Sequence, residues 1–265
     1  MGKVESARAA HSPAQVYEQF FVPALFGQWG SVITGMAGIG EGHDVLDVAC
    51  GTGVLACAAA ERVGRGTVTG LDPNEEMLAV ASAKSARIDW RNGRAESIPF
   101  QDASFDRVVS QFGLMFFEDR VAGLREMLRV LRPGGQLAVA VCDALDHSAG
   151  YAVLAELLQR LFGARVADAF RAPFALGDAT QLLALCKEAG IAGARVVRRD
   201  GTVRFESVGS LVSTERACVW TLGGLLDDGQ FKRLLTEAQD SLRPFVAADG
   251  NVAFVMPALI IMAQR

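Results

Sequence analysis

The first chemical signal in the chain is Val45-Leu46-Asp47-Val48-Ala49-Cys50-Gly51-Thr52-Gly53, which reads as a buried strand running into a glycine turn and then a helix. Gly51 and Gly53 remove side chains where a ligand must approach the backbone. A glycine turn alone is weak evidence, and Gly51-Thr52-Gly53-Val54-Leu55-Ala56 also satisfies the permissive dinucleotide fingerprint. Asp47 separates the two ligand classes. A carboxylate at the strand end is unfavourable beside a pyrophosphate seated on a helix N-terminus. It favours a ligand that carries an ammonium and a sulfonium, as S-adenosylmethionine does. Asp72 ends the second strand, 19 residues after Gly53, where an acidic side chain accepts bonds from both hydroxyls of a ribose. Its replacement by alanine is expected to weaken ligand binding and to cost the fold little.

Other residues with chemical capacity are scattered. His147 follows the fifth expected strand, near the carboxyl edge where open α/β sheets bind ligands, and is the candidate general base. His11 lies near the N-terminus, and His43 precedes the first strand at the opposite end. Tyr17, Phe21 and Phe112 are candidates to line the space for a second substrate, with core packing as the competing role. Cys50 sits in the glycine loop without a histidine near it in sequence, so packing is its expected role. The five cysteines show no metal-ligand spacing, and no metal is expected. Arg195, Arg198, Arg199 and Arg204 crowd one expected hairpin as a solvated face.

Positioning these groups requires alternating strands and helices. Short apolar runs at Val45–Ala49, Thr67–Leu71, Arg87–Arg91, Arg107–Phe112 and Gln136–Cys142 predict five parallel strands. Helices are predicted at Leu55–Val63, Glu75–Ser85 and Arg120–Leu131, the last stopped by Pro133-Gly134-Gly135. Helices then follow at Ala149–Phe162 and Ala179–Ala189, with strands at Ala194–Val197 and Thr202–Phe205 around the hairpin dipeptide Asp200-Gly201. The stretch from Ser207 to Leu242 reads as helical, and Ala258–Ala263 as a final strand. Residues 1–40 form a helical arm or lid, 41–147 the ligand-binding core, and 148–265 the remaining core strands with an inserted helical cap.

Composition excludes several classes. With 51% hydrophobic and 21% charged residues, the chain is an ordinary globular one. A net charge of −4 gives no electrostatic footprint for nucleic acid. The longest apolar run, Val252 to Ala263, is twelve residues long and contains Pro257, so no membrane span is expected. The N-terminus lacks a basic stretch followed by an apolar core, and the cysteines look like reduced thiols. A cytoplasmic protein is the expectation. Oligomeric state is left open.

From residue 40 to 142 the sequence resembles the class I S-adenosylmethionine-dependent methyltransferases, particularly those of ubiquinone and menaquinone biosynthesis. Five pieces in the family's order carry the likeness: VLDVACGTG (45–53), GLDPNEEML (70–78), GRAESIPF (93–100), FDRVVSQFGLMFFED (105–119) and EMLRVLRPGG (126–135). The resemblance implies a Rossmann-like α/β fold, with a mostly parallel seven-stranded sheet, helices on both faces and a helical cap. It implies that Asp47, Gly51 and Gly53, with Ala49 beside them, surround the methionyl part of S-adenosylmethionine. Asp72 would hold the ribose, Pro73 and Met77 would line the adenine, Ala95 would offer its backbone N–H to the ring, and Gln111 would sit near the methionyl amine. One departure stands out: Gly93-Arg94-Ala95 replaces the family's usual Gly-Asp-Ala, and a guanidinium accepts no bond from the adenine amino group. Glu96 or a backbone carbonyl is the expected substitute.

The implied activity is transfer of a methyl group to an oxygen, nitrogen or carbon of a small organic acceptor by in-line displacement, leaving S-adenosylhomocysteine. A protein that binds S-adenosylmethionine without transferring its methyl would carry the same cofactor residues. A nicotinamide-dependent oxidoreductase is disfavoured by Asp47 and by the lack of a catalytic Tyr–Lys or His–Asp pair in the sequence. Amino-methylating nucleic-acid enzymes place Asp/Asn-Pro-Pro-aromatic after the fourth strand, where this chain has Ser110-Gln111-Phe112-Gly113.

Overall fold

A computed structural model describes residues 12–265; the start of the expected arm, with His11, lies outside the described residues. The chain divides into two compact units. The sheet unit holds Phe26–Val141, Asp178–Arg199 and Ala258–Arg265, and the helical unit holds the described residues up to Leu25 with Cys142–Gly177 and Asp200–Pro257. The first boundary falls inside the segment read as one arm.

The sheet unit is built on β1 (Asp44–Val48), β2 (Thr67–Asp72), β3 (Asp89–Asn92), β4 (Phe105–Gln111), β5 (Leu131–Cys142), β6 (Arg195–Arg199) and β9 (Ala258–Gln264). Their order is β3-β2-β1-β4-β5-β9-β6. The first five pair in parallel, while β9 and β6 run antiparallel. Connecting helices are α3 (Val54–Ala60), α4 (Glu75–Lys84) and α5 (Arg120–Val130), with α2 (Trp29–Met36) before β1 and α8 (Ala179–Glu188) before β6. Central strands rich in Val, Leu and Ile are covered on both faces, and Val45, Leu46, Val108, Val109 and Leu137 are fully buried. Because β1 lies between β2 and β4, the chain leaves it in opposite directions. The carboxyl ends of β1 and β4 therefore flank the crevice where such sheets bind ligands.

The helical unit holds α1 (Pro13–Val16), capped by Ser12, and most of the π-helix Tyr17–Phe26 into which it runs through Pro23. It also holds α6 (Ala149–Phe162), α7 (Ala164–Arg171), α9 (Val208–Ala217), α10 (Asp228–Ser241) and an antiparallel pair, β7 (Thr202–Phe205) with β8 (Val252–Val255). Its core centres on Tyr151, whose ring meets those of Phe170, Phe174 and Phe254. Among the described residues no helix is long and apolar enough to cross a membrane.

Three expectations are corrected. Asp200-Gly201 does not close a hairpin: β6 pairs with β9 in the large sheet, and β7 with β8 in the small one. The arginines thought to crowd one hairpin are therefore divided between two sheets. The strand expected at Gln136–Cys142 begins already at Leu131, so that Pro133-Gly134-Gly135, which follows the end of the helix as expected, is a bulge within β5. Leu131 already pairs with Phe105, and the register resumes at Gln136 opposite Arg107. Gly134 stands at φ +81° and is pinned by its N–H to the Arg265 carbonyl at 2.7 Å. The helical stretch after Ser207 is broken between Ala217 and Asp228.

Candidate functional site

β1 delivers Asp47 to the crevice, and the chain then turns through left-handed backbone at Ala49 (φ +56°), Gly51 (+54°) and Gly53 (+82°). For alanine that conformation is strained, and Phe112, just past β4, shares it at φ +54°. Strained backbone thus sits at the carboxyl ends of both switch-point strands. The loop is fastened to β2 by the Cys50 N–H to the Leu71 carbonyl (3.0 Å) and closed by the Gly53 N–H to the Cys50 carbonyl (2.8 Å). Asp72 completes the fastening. Its Oδ2 accepts the Gly51 N–H at 2.8 Å, and its Oδ1 accepts the Asn74 N–H at 2.9 Å. Burial raises the Asp72 pKa, opposed by the Asn74 and Gly51 amides. Asn74 in turn caps α4 through the N–H groups of Glu76 and Met77.

Several buried polar atoms near the carboxyl ends of β1 and β4 lack partners. Both carboxylate oxygens of fully buried Asp47, Thr52 Oγ1, Ser110 Oγ and Gln111 Oε1 have no hydrogen-bond partner. Such atoms are rare in folded proteins and costly unless something else satisfies them. The Gln111 amide is oriented by its own Nε2, which donates to the Phe26 carbonyl at 3.2 Å and leaves Oε1 as the open acceptor. Burial pushes the Asp47 carboxyl well up. The Ala56 backbone N–H pulls the other way without completing a bond, and the charge of Asp72 adds to the rise. A cation would relieve this, so the residues fit the ammonium and sulfonium of S-adenosylmethionine. An ideal Cβ on Gly51 would meet nothing within 4 Å, so that glycine faces open space. Gly53 does not, since a Cβ there would fall 2.4 Å from the Trp90 ring. Of the two glycines expected to clear room for a ligand, Gly51 thus has free space beside it, while the space beside Gly53 is taken by the Trp90 ring.

On the expected adenine side, Met77 and Ala95 are buried and Pro73 is exposed. Glu96 is engaged by the protein. Its Oε1 accepts the Glu118 N–H at 2.8 Å, and its Oε2 lies 3.5 Å from Arg94 Nε. Arg94 also pairs with Glu118 at 2.9 Å, so the guanidinium that replaces the family's carboxylate binds acids of its own chain. Cys50 is buried, and burial followed by the charges of Asp47 and Asp72 holds its thiol protonated, which removes it as a nucleophile. Phe112 packs its ring against Phe26 and Trp29 at centroid distances of 5.3 and 5.6 Å. What it presents to the crevice edge is strained backbone.

The remaining candidates belong to the helical unit. Tyr17 stacks on Phe21 and meets Trp220 edge-on. His147 Nδ1 lies 3.0 Å from Asp143 Oδ2, because the short turn Leu145–His147 brings the ring back to Asp143. Asp143 is buried, and its Oδ1 accepts the Ala144 N–H at 2.8 Å. The structure thus brings His147 and Asp143 together, a contact the sequence reading did not foresee. The sequence did not single out Thr52, Ser110, Trp90 or Asp143. Thr52 lay inside the glycine loop and Ser110 beside Gln111, so position was the available signal for both.

A doubly wound sheet with an acidic, glycine-turned crevice at its switch point defines a nucleoside-binding α/β domain. Residues 45–135 match the family described as methyltransferase domain. The chain is 36% identical over 138 residues to the chloroplastic 2-phytyl-1,4-beta-naphthoquinone methyltransferase of Arabidopsis thaliana, covering 48% of this chain and 53% of that protein. It is 44% identical over 117 residues to the demethylmenaquinone methyltransferase of Listeria monocytogenes, covering 42% and 49%. The chain thus spans about half the length of these relatives. Among solved structures, the YcgJ protein of Bacillus subtilis superimposes with a TM-score of 0.61 at 21% identity, over 90% of this chain and 98% of that one. This last likeness concerns the fold alone.

Proposed function

We propose that the protein moves a methyl group from S-adenosylmethionine to a small organic acceptor. The observation that carries this reading is the set of unpartnered acceptor atoms on Asp47, Thr52, Ser110 and Gln111, from the carboxyl ends of β1 and β4 and the loop after β1, together with the free space beside Gly51. When bound, S-adenosylmethionine supplies an electrophilic methyl carbon on a positively charged sulfur. Asp47 and Gln111 offer acceptors to the methionyl ammonium, and Asp72 offers the remaining lone pairs of its carboxylate to the ribose hydroxyls. Pro73, Met77 and Ala95 border the base. Holding donor and acceptor at near-attack distance away from water supplies much of the acceleration.

The acceptor is proposed to be a ring compound of the quinone or phenol type, since the relatives are named for a naphthoquinone and for demethylmenaquinone. His147 is the proposed recipient of the acceptor's proton. With Nδ1 held by Asp143, the ring presents Nε2 as the base. The five unbridged cysteines, four of them buried, support a reducing, cytoplasmic setting. The test is calorimetry with S-adenosylhomocysteine and with NAD, followed by detection of S-adenosylhomocysteine formed from S-adenosylmethionine and reduced naphthoquinones. Micromolar NAD binding with no response to S-adenosylhomocysteine would overturn the reading.

A further inference from the structure

Trp90 on β3 stands opposite Gly70 in the parallel register of β2 and β3. Its six-membered ring occupies the space that two glycines leave. An ideal Cβ on Gly70 would lie 2.5 Å from Cε3 and from Cζ3, and one on Gly53 would lie 2.4 Å from Cη2. The same position above Gly70 is 3.0 Å from Cys50 Sγ, so the ring and the start of the glycine loop share one small space. The other end of the indole is anchored, with Nε1 donating to the Ser85 carbonyl at 3.0 Å just past α4. One rigid side chain therefore joins β2, the residue that begins α3, and the end of α4. Its contact at Gly53 falls where the backbone turns at φ +82° into the helix.

We infer that Trp90 is a positioning residue for the methyl donor, acting through the glycine loop. The two glycines divide the work. Gly51 faces open space and gives the ligand its approach, while Gly53 is bare so that the indole can seat against the loop. Removing the ring leaves Gly53, the most permissive residue type, without the surface that limits its backbone. The Gly51 and Thr52 groups that face the ligand then lose their fixed placement, and binding suffers without any contact between Trp90 and the donor. An aromatic ring at residue 90 should suffice, because contact with the glycines requires shape and not the indole nitrogen.

The ligand arm of the test rests on the proposed function; a second arm does not. Wild type, Trp90→Phe, Trp90→Ala and Gly70→Ala are compared well below their melting midpoints. Calorimetry with S-adenosylhomocysteine is expected to show at least a tenfold loss of affinity in Trp90→Ala and a change within threefold in Trp90→Phe. In Gly70→Ala the new methyl displaces the ring without removing it, and a loss of at least fivefold is expected. KM for S-adenosylmethionine should rise while kcat at saturation stays within twofold. Independently, amide exchange at residues 50–54 of the ligand-free protein should be at least fivefold faster in Trp90→Ala than in Trp90→Phe. A lower midpoint in Trp90→Ala with wild-type affinity and wild-type loop exchange overturns the inference. If wild type binds no S-adenosylhomocysteine, the functional reading fails and the exchange measurement alone decides the role of Trp90.

Discussion

Asp72 Oδ2 accepts the Gly51 N–H at 2.8 Å, so the carboxylate proposed to hold a ribose also braces the loop that faces it. Binding and folding are coupled at this one side chain. Asp72→Ala removes two backbone-to-carboxylate bonds, worth about 1.5–3 kcal/mol each at most. It is therefore expected to lower the melting midpoint as well as to weaken S-adenosylhomocysteine binding at least tenfold. The sequence-based expectation of a nearly unaffected fold does not survive this geometry. Asp72→Asn keeps one acceptor oxygen and should hold the midpoint closer to wild type while still losing affinity. Wild-type affinity in both variants would refute the ribose assignment.

In the helical unit, Glu215 on α9 is fully buried, and burial lifts its pKa to about 7. Thr221 Oγ1 donates to Oε2 at 3.0 Å, the Tyr151 hydroxyl from α6 also bonds to it, and the thiols of Cys142 and Cys218 lie close enough to feel its charge. A carboxyl whose folded pKa exceeds its unfolded value binds its proton more tightly when folded. Its cost is absent below the unfolded value of 4.5 and grows until pH passes about 7. The loss across that window is about 3 kcal/mol. Urea denaturation from pH 5 to 8 should show this decline, and Glu215→Gln should flatten it. An equal slope in the variant would show that another group is responsible.

The Asp143–His147 pair makes a kinetic prediction. His147→Ala should lower turnover by about 10²–10⁴-fold if the ring takes a proton in the rate-limiting step. Asp143→Asn, which removes the charge from the partner of Nδ1, should lower it by less. Neither variant should alter S-adenosylhomocysteine affinity by more than threefold. Unchanged turnover with an acceptor of low proton affinity and with one of high proton affinity would rule His147 out as base.

Legibility in the sequence followed the range of the interactions. The β1 strand, its glycine loop and Asp72 were readable because strand, turn and helix are contiguous and each residue type answers a local demand. The pairing of β6 with β9 was not, because Asp200-Gly201 is a good turn dipeptide whose flanking strands find better partners elsewhere. The bulge at Pro133-Gly134-Gly135 was hidden for a related reason: its pairing depends on Arg265, far along the chain. Asp143 and His147 are four residues apart, a separation that means nothing until a short turn folds one over the other. Trp90 was unreadable as part of the site because its importance lies in two glycines on other elements.

Asp47 gives the most discriminating prediction about the ligand's charge. Its carboxylate is fully buried with neither oxygen bonded, which burdens the ligand-free protein. Burial raises its pKa well above the ordinary value, so the ligand-free fold loses stability as pH rises from about 3.8 through the raised pKa. Asp47→Asn removes that burden, and the variant should melt at or above the wild-type temperature near pH 8. A bound cation has the opposite preference, because it gains from the ionised form. Affinity for S-adenosylmethionine should therefore increase with pH in wild type, and the increase should vanish in Asp47→Asn alongside at least a tenfold loss at pH 8. Calorimetry at pH 6 and pH 8 on both proteins, with melting curves of the same samples, supplies all the comparisons. A variant that melts lower and binds as wild type would make Asp47 a structural acid and remove the electrostatic basis for a sulfonium ligand.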